Sequence, residues 1–372
     1  MDQQQMNLAF LGSRGIPGIM GGYERVAEEI GSRLVEKGHR VTVFCERGRS
    51  APDRPDSHKG IDLRYLPHLG GKAFEAPSFD AISLLMASLS RYDLVYLMGY
   101  SMSWLAWLPK MADIPVVINT DGLEWKRSKW NRFARWYLRR SEAFAARVAT
   151  GLAADSRAIA DHFQKAYRRS SYFVGNGADL WEPTDESTPS RYGLKPYEYL
   201  TIVCRIEPEN NVDLLIEGYL ASGVEYPLVV IGGANYNSPY VSSLRRYESD
   251  RVRFTGIITE KSELMDLRYF AAAYLHGHEV GGTNPSLLEA LGCGNCVLAV
   301  DVPYNAEVLA DSGVLIPKEI DGWATAIRAT LNDDILLSTL RRKSRERLLE
   351  AYTWQISADL HEKCFHAILS DR

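Results

Sequence analysis

Short apolar runs alternate with amphipathic stretches along the first half of the chain. The run NLAFLG at residues 7–12 is apolar almost throughout, as in a strand buried on both faces of a sheet. The next stretch places Val26, Ile30 and Leu34 at helical spacing, and Gly38 ends it. Further strand-like runs follow at HRVTVFCE, LVYLMG and PVVINTDG. This βαβ repetition predicts a parallel sheet covered by helices.

The same pattern starts again near residue 199. Buried-strand runs with helical stretches between them occur at YLTIVCR, PLVVIGG, RVRFTG, AYLHGH, CVLAV and GVLIP. The intervening segment LWEPTDESTPSRYGLKPYE is rich in Pro, Ser, Thr and charge, which is typical of a linker. The chain is therefore predicted to be α/β, with two Rossmann-like, doubly wound domains facing a central cleft. We place these domains at residues 1–180 and 190–350, and we expect a C-terminal helix at 351–372 to pack toward the first.

Composition narrows the class of protein. The 372 residues are long for one core, and 46% hydrophobic with 24% charged residues is typical of a folded soluble protein. The net charge of −4 does not favour a nucleic-acid binder. Five scattered cysteines favour a reducing compartment over a disulfide framework. No basic signal region and no charge-free apolar run of about 20 residues is visible, so we expect a cytoplasmic protein.

Ligands of open parallel sheets bind beyond the carboxyl ends of the strands, and the polar motifs of this chain cluster there. The glycine loop LGSRGIPGIMGGYE follows the first strand and includes Gly21 and Gly22, whose backbone amides suit a phosphate or a sugar. The string does not match G-x-G-x-x-G. Glu46 nevertheless ends the second strand, so an NAD-binding loop stays open, as does a purely structural one. Asp121 follows a buried strand and is either a cleft carboxylate or an ordinary loop acid.

Arg205 ends the first strand of the second domain. Its planar guanidinium suits a diphosphate, and the alternative is a surface arginine paired with Glu207 or Glu209. The chain contains no D-x-D sequence, so we expect no divalent metal to hold the diphosphate. Arg205, backbone amides and helix dipoles would then meet the charge of a leaving diphosphate.

The stretch HGHEVGGTNPSLLEALGCG combines a strand end, a polar loop and a helix. Asn284 is predicted to cap a helix that begins at Pro285 or Ser286, and Glu289 then lies one turn inside it. Gly281 and Gly282 allow a ligand to approach the backbone closely. His276, His278 and Glu279 are a possible set of metal ligands. The favoured interpretation is that the two histidines lie in the cleft with their hydrogen bonds satisfied.

A basic, aromatic stretch near residues 125–147 is predicted to form a helix. Its amphipathic pattern favours the surface of a membrane, with Arg135, Arg139 and Arg140 facing the lipid. A solvated helix face with core aromatics is the alternative. Nucleic acid would also suit the charge, but the rest of the chain does not support it.

These motifs together resemble the retaining glycosyltransferases of family 4, which have the GT-B fold. The resemblance rests on the glycine loop, the Arg205 turn, GNGAD and NPSLLEALGCG. Longer strings, GSRGIPGIMGGYE, NTDGLEWKRSKW, RIEPENN and GHEVGGTNPSLLEA, are similar to a bacterial subgroup that builds capsule, O-antigen or exopolysaccharide and includes L-rhamnosyltransferases.

The resemblance implies an activity and a location. A hexose or deoxyhexose, L-rhamnose above all, would pass from a nucleotide-diphosphate sugar to a lipid-linked glycan. The enzyme would work at the inner face of the cytoplasmic membrane, without a metal or a resident cofactor. The donor would bind mainly to the second domain and the acceptor to the first.

The resemblance also assigns residues. Arg205 falls at the diphosphate-binding arginine of the family, and Glu289 at the second Glu of its E-x7-E motif, which binds the ribose. Gly281 stands where the first Glu is expected, with Glu279 two residues earlier, and Asn210 stands where the family has a lysine. The candidate catalytic residues are Glu279, beside the expected position of the first Glu, and Asp121, chosen for its place after a buried strand. The implied diphosphate ligands are Arg205, Asn210, Gly21, Gly22, Ser286 and Leu287, and the implied sugar ligands are Gly281, Gly282, Thr283 and Asn284.

Three other functions stay open from the sequence. A sugar-nucleotide epimerase with the same fold would need no acceptor. An NAD-dependent oxidoreductase would use the first glycine loop. A non-catalytic sugar-nucleotide-binding protein would explain why the first Glu and the lysine are replaced.

Overall fold

The computed structural model describes residues 5–18, 22–48, 54–70, 75–233 and 238–371. The chain divides into two compact units. Unit 1 comprises Met1–Lys126, Trp130–Asn176 and Trp354–Arg372, and unit 2 comprises Arg127–Lys129 and Gly177–Thr353. Each unit carries one parallel sheet with helices packed against it, so the predicted α/β class with two Rossmann-like sheets is confirmed.

Unit 1 contains an eight-stranded sheet, counted over the described residues, in the order β3-β4-β2-β1-β5-β6-β7-β8. Its strands are β1 Asn7–Leu11, β2 Arg40–Glu46, β3 Ser57–His58, β4 Ile61–Leu66, β5 Leu94–Met98, β6 Val116–Asn119, β7 Gly151–Ala154 and β8 Tyr172–Phe173. Its helices are α1 Gly22–Glu36, α2 Glu75–Ser88, α3 Trp107–Met111, α4 Arg132–Val148, α5 Arg157–Tyr167 and α14 Trp354–Ser370. Only the short β3 pairs antiparallel among the described strands, and the order of the strands reverses beside β1.

Unit 2 contains a six-stranded, all-parallel sheet, again over the described residues, in the order β11-β10-β9-β12-β13-β14. Its strands are β9 Leu200–Val203, β10 Leu228–Ile231, β11 Val252–Gly256, β12 Ala273–His276, β13 Cys296–Val300 and β14 Gly313–Ile316. Its helices are α6 Thr188–Arg191, α7 Val212–Ser222, α8 Pro239–Leu244, α9 Lys261–Tyr269, α10 Pro285–Gly292, α11 Pro303–Leu309, α12 Ile320–Leu331 and α13 Asp334–Ala351. The strand order reverses between β9 and β12, which is where ligands of doubly wound sheets bind.

The apolar runs form the cores of both sheets because parallel strands are covered on two faces. All four residues of β9, β10 and β12 are buried, and so are all five of β5 and β13. Among the described residues, no helix combines the length and the apolar character needed to cross a membrane.

The last helix, α14, belongs to unit 1 and packs against α1. Phe365 of α14 makes edge contacts with Phe10 of β1 and Tyr96 of β5, which places the helix on the core of that sheet. Lys37, which directly follows α1, places Nζ 2.5 Å from both Asp359 Oδ1 and Glu362 Oε2 of α14.

Candidate active site

The turn that follows β9 presents Arg205 at the surface of unit 2, at the reversal of the strand order. Asn210 is buried, and its side-chain amide donates to the Arg205 carbonyl at 2.6 Å. Asn211 donates to the Gly277 carbonyl at 2.8 Å, which ties this turn to the end of β12. A Cβ on Gly277 would lie only 2.2 Å from the Asn210 carbonyl oxygen, so this close approach requires glycine. Asn210 therefore shapes the turn, and its predicted contact with a diphosphate stays a prediction.

Helix α10 begins as the sequence predicts. Asn284 Oδ1 accepts from the Ser286 N–H at 2.9 Å, and Pro285 occupies the first helical position. The Ser286 hydroxyl donates to Val203 O at 2.8 Å, and the Leu287 N–H bonds to Asn284 O at 3.1 Å. A phosphate at Ser286 and Leu287 would compete with these bonds, and their predicted role as diphosphate ligands is untested.

Glu289 lies one turn into α10 and is oriented by Arg268, which the sequence analysis missed. Arg268 is 1% exposed, and its Nη2 lies 3.2 Å from Glu289 Oε2 and 2.7 Å from Ser286 Oγ. Its guanidinium also lies 5.2 Å from the centre of the Tyr274 ring. Nothing in the helical stretch around Arg268 signals this role, because the pairing joins α9 to α10.

The loop before α10 carries Glu279 next to a cation. Lys318, which follows β14, places Nζ 2.6 Å from Glu279 Oε2, and the Glu279 N–H donates to Glu209 O at 3.1 Å. Gly281 and Gly282 are half-buried, and Thr283 is 3% exposed. The four predicted sugar-binding residues, Gly281 to Asn284, thus form one continuous loop between Glu279 and α10. Lys318 gave no signal in the sequence beyond its position after a strand.

His276 and His278 stack with ring centres 4.4 Å apart at the end of β12. Burial lowers the pKa of both imidazoles; for His278, burial and then the positive charges of Arg127, Arg205 and Arg268 lower it to about 3. Both rings are therefore neutral at physiological pH. In the described parts of the chain, the His, Asp and Glu groups close enough to share an ion do not include these two histidines.

Asp121 of unit 1 lies two residues after the end of β6, in a left-handed conformation with φ +45°. The Tyr23 hydroxyl donates to Asp121 Oδ2 at 2.6 Å, and Asn119 Oδ1 accepts the Asp121 N–H at 2.9 Å. Burial, followed by the charge of Asp121, raises the pKa of Tyr23 well above its usual value. Tyr23 was missed by the sequence analysis, although it directly follows the glycine loop.

The glycine loop itself is described in part. Gly12 has φ +96°, and a Cβ there would lie 2.2 Å from Met98 O, so the loop passes close to the end of β5. Gly22 begins α1, whereas Gly21 lies outside the described residues. Glu46, the candidate ribose acid of an NAD enzyme, is 0% exposed and lies 3.6 Å from His68 Nε2. A fully buried carboxylate is not accessible to the hydroxyls of a ribose.

The basic stretch forms helix α4, which begins at Arg132 with Asn131 as its cap rather than near residue 125. The buried acid Glu142 anchors the helix by accepting from Trp125 Nε1, His162 Nε2 and Tyr167 Oη at 2.7–2.8 Å. On its outer side a surface pocket of about 520 Å³ is lined by Arg132, Arg135, Trp136, Arg139, Arg140, Ala143 and Tyr167.

Two family models match consecutive parts of the chain. The model described as Glycosyltransferase Family 4 matches residues 20–182, and the model described as Glycosyl transferases group 1 matches residues 186–347. The first match lies almost wholly in unit 1 and the second in unit 2.

Individual proteins are similar over parts of the chain or in fold. The O-antigen chain mannosyltransferase B of Escherichia coli is 25% identical over 154 residues, which are 39% of this chain and 39% of that protein. The GtfA subunit of a UDP-N-acetylglucosamine–peptide N-acetylglucosaminyltransferase of Streptococcus pneumoniae is 24% identical over 180 residues, 46% of this chain and 34% of that protein. The chain thus matches well under half the length of either relative.

Among solved structures, Anabaena HepE in complex with UDP and glucose superimposes with a TM-score of 0.77 at 21% identity. The superposition covers 96% of this chain and 99% of the other. At this identity the likeness concerns the fold.

Proposed function

Because the chain belongs to the GT-B glycosyltransferases that join a family 4 domain to a group 1 domain, we propose that it transfers a sugar from a nucleotide-diphosphate donor. The observation that carries the proposal is the constellation in unit 2. Arg205, the capped start of α10 and the Arg268–Glu289 pair lie together where the strand order reverses. These groups suit a nucleotide diphosphate: a guanidinium for phosphate, a helix N-terminus for negative charge and a carboxylate for ribose hydroxyls.

In this proposal unit 2 binds the donor without a metal ion. Arg205 and the N-terminal dipole of α10 stabilise the negative charge that develops on the leaving diphosphate. Glu289 accepts hydrogen bonds from the ribose, and Arg268 keeps its carboxylate in place. The loop from Gly281 to Asn284 binds the sugar, together with Glu279, whose carboxylate Lys318 orients.

We further propose transfer with retention of the anomeric configuration. The acceptor oxygen bonds to the anomeric carbon as the carbon–oxygen bond to the diphosphate breaks, on the same face of the sugar. The leaving phosphate oxygen takes the proton of the acceptor hydroxyl, so the products are a glycoside and a nucleoside diphosphate. The protein then contributes positioning and electrostatics, and Asp121 orients the acceptor or the reacting sugar.

The proposed sugar is a hexose or deoxyhexose, with L-rhamnose as the specific candidate. The support for rhamnose is the resemblance of four sequence strings to the bacterial polysaccharide subgroup. The similarity to an O-antigen chain mannosyltransferase supports the wider assignment to bacterial surface polysaccharide. HepE in complex with UDP and glucose makes UDP-sugars natural first probes.

The proposed acceptor is a lipid-linked glycan, reached by peripheral binding at the inner face of the cytoplasmic membrane. The four arginines that line the pocket on α4 are exposed, and so are Phe133 and Trp136, at 72% and 54%. Exposed cations beside exposed aromatic rings suit an anionic lipid surface, because phosphates bind the cations and the rings enter the interface.

A panel of nucleotide sugars tests the proposed function. The wild-type protein is mixed with UDP-, GDP-, ADP-, CDP- and dTDP-linked sugars, and thermal unfolding is followed. The expected result is a rise in melting temperature with one nucleotide class, because a ligand that binds the folded state stabilises it by mass action. The selected donor is then incubated with a lipid-linked acceptor, and NMR assigns the anomeric configuration of the product. Hydrolysis or epimerisation of the donor without transfer would contradict the proposal.

A further inference from the structure

Residues Arg127–Lys129 belong to unit 2 by their contacts, although they lie about fifty residues before the rest of that unit in the sequence. Ser128 Oγ donates a hydrogen bond to Glu209 Oε2 at 2.5 Å, and Arg127 Nη1 lies 4.0 Å from Glu209 Oε1. Glu209 is only 5% exposed. The segment is thus held by a buried acid rather than by a solvated surface contact, and a buried carboxylate requires such partners.

Glu209 links this segment to the donor loops of unit 2. It lies in the turn that follows Arg205, and its carbonyl accepts the Glu279 N–H at 3.1 Å. Arg127 also lies near the end of β12, because its positive charge lowers the pKa of His278. Only burial has a larger effect on that pKa, and the effects of Arg205 and Arg268 are smaller. Arg127 therefore lies among the loops that carry the predicted diphosphate and sugar ligands.

A diphosphate carries more than one negative charge, and the single guanidinium of Arg205 neutralises only one of them. Asn210 contributes no charge, and its amide is bonded to the Arg205 carbonyl. Arg268 is buried against Ser286 and Glu289. Arg127 and Arg205 are the other two cations whose charges act on His278.

We propose that Arg127 is a second cationic ligand of the donor diphosphate, held in position by Glu209 and by the Ser128–Glu209 hydrogen bond. This inference rests on the proposed function, since it presupposes a nucleotide donor on unit 2. A guanidinium carries five N–H groups in a planar fork, so it can contact Glu209 and a phosphate oxygen at the same time. The second cation of the inferred site is then supplied from a segment remote in sequence.

Calorimetric titration of the full chain with nucleosides, nucleoside monophosphates and nucleoside diphosphates tests the inference. UDP, GDP, ADP, CDP and dTDP are used, with the matching nucleosides. Arg127→Ala should weaken binding of the preferred nucleoside diphosphate about 10- to 100-fold and leave nucleoside binding unchanged, because only the phosphate contacts are lost. Arg127→Lys should lie between Arg127→Ala and the wild type. Lys129→Ala is the matched control and removes a charge two residues away.

The outcomes separate the inference from the proposed function. If Arg127→Ala binds the diphosphate with wild-type affinity while Arg205→Ala does not, the inference is overturned and the proposed function stands. If the wild type binds none of the nucleotides, both are overturned. If Arg127→Ala alters only the KM for a diphosphate-linked lipid acceptor, the phosphate recognised is the acceptor's and the inference is again overturned. Circular dichroism of each variant confirms that the fold is retained.

Discussion

Tyr23 and Asp121 are separated by 98 positions in the sequence, yet the tyrosine hydroxyl donates to the carboxylate at 2.6 Å. The contact fixes a carboxylate whose backbone already occupies the left-handed region, at φ +45°. Because a non-glycine residue holds that conformation only when its surroundings support it, the geometry of Asp121 depends on its neighbours.

Replacing Tyr23 with Phe should therefore impair turnover more than donor binding. We expect kcat to fall about 10- to 100-fold, with KM for the donor unchanged, because a misplaced Asp121 orients the reacting groups poorly. The pKa of Tyr23 is raised well above its usual value by burial and by Asp121, so the ratio of wild-type to variant rates should stay constant between about pH 6 and pH 9. Tyr65→Phe, elsewhere in unit 1, is the control. Equal kcat values for Tyr23→Phe and wild type would show that this contact does not serve catalysis.

His278 makes the stability of the protein depend on pH. Its pKa is near 6.5 in an unfolded chain and about 3 in the folded protein, through burial and neighbouring arginines. The unfolded state therefore binds more protons than the folded state below pH 6.5. The contribution of the neutral His278 ring to the free energy of unfolding is fully present above pH 6.5, and it is lost as the pH falls toward 3.

The corresponding test uses urea unfolding at pH 7.5 and pH 5. Between these values His278→Gln should lose less stability than the wild type, by on the order of 1 kcal/mol after allowance for its partial exposure. His68→Gln provides a matched control at a half-buried histidine of unit 1. Identical losses in the wild type and His278→Gln would mean that His278 is solvated in the folded protein.

At the scale of the secondary-structure elements, α14 is attached to unit 1 by two acids of very different burial. Glu362 is 6% exposed and bonds to Lys37 and His39, whereas Asp359 is 43% exposed and bonds to the same Lys37. Burial alone would raise the pKa of Glu362, but the hydrogen bonds from Lys37 and His39 hold it below its usual value. His39 Nδ1 accepts the Met6 N–H at 3.2 Å, which leaves Nε2 to donate to Glu362 at 2.9 Å.

This pair of acids provides its own internal control. Glu362→Ala should lower the free energy of unfolding by about 2–4 kcal/mol, because two donors at a buried site lose their acceptor. Asp359→Ala should cost about 0.5 kcal/mol, as for an exposed ion pair. Chemical denaturation at neutral pH measures both changes. Equal costs would indicate that solvent reaches the Glu362 carboxylate.

Helix α4 is the element on which the proposed membrane contact depends. Changing Arg135, Arg139 and Arg140 together to Glu should abolish co-sedimentation with vesicles containing anionic lipid, because each cation near such a surface contributes about 1 kcal/mol of attraction. The matched control reverses three exposed cations of unit 2, Arg245, Lys261 and Arg342, and should bind as the wild type does. Vesicle binding that survives the α4 reversal would exclude this helix as the contact.

At the scale of the whole molecule, donor binding and folding stability are linked. A donor at 100 times its Kd should stabilise the wild type by about 2.7 kcal/mol, which a thermal melt detects. Arg205→Ala should remove this gain without changing the melt of the ligand-free protein, because Arg205 is exposed. Arg342→Ala is the control for loss of an exposed arginine. Normal stabilisation of Arg205→Ala by the donor would refute the assignment of the diphosphate site.

Much of this architecture was predictable because parallel strands leave a simple pattern in the sequence. Strands buried on both faces read as continuous apolar runs, and the restart of that pattern indicated a second sheet. The start of α10 at Pro285 was also predictable, because an Asn cap and a Pro at the first position act within a few residues. The start of the basic helix was placed too early, since residues 124–126 form a separate 3-10 turn and Asn131 caps α4.

The partners of the site residues were not predictable in the same way. Arg268, Lys318 and Tyr23 reach Glu289, Glu279 and Asp121 from other elements, over 21, 39 and 98 positions of sequence. Periodicity and capping report neighbours within about one helical turn, so pairings of this kind leave no local signal.

The sequence by itself determined the class of the fold, the two sheets and the loops at which polar residues gather. It did so because burial on a sheet and the caps of helices are local requirements on residue type. Only the tertiary structure decided which charges meet: Arg268 with Glu289, Lys318 with Glu279, and Arg127 with Glu209. Electrostatic partners are set by distance in space, and that distance exists only after the strands have aligned their carboxyl ends at one edge of the sheet.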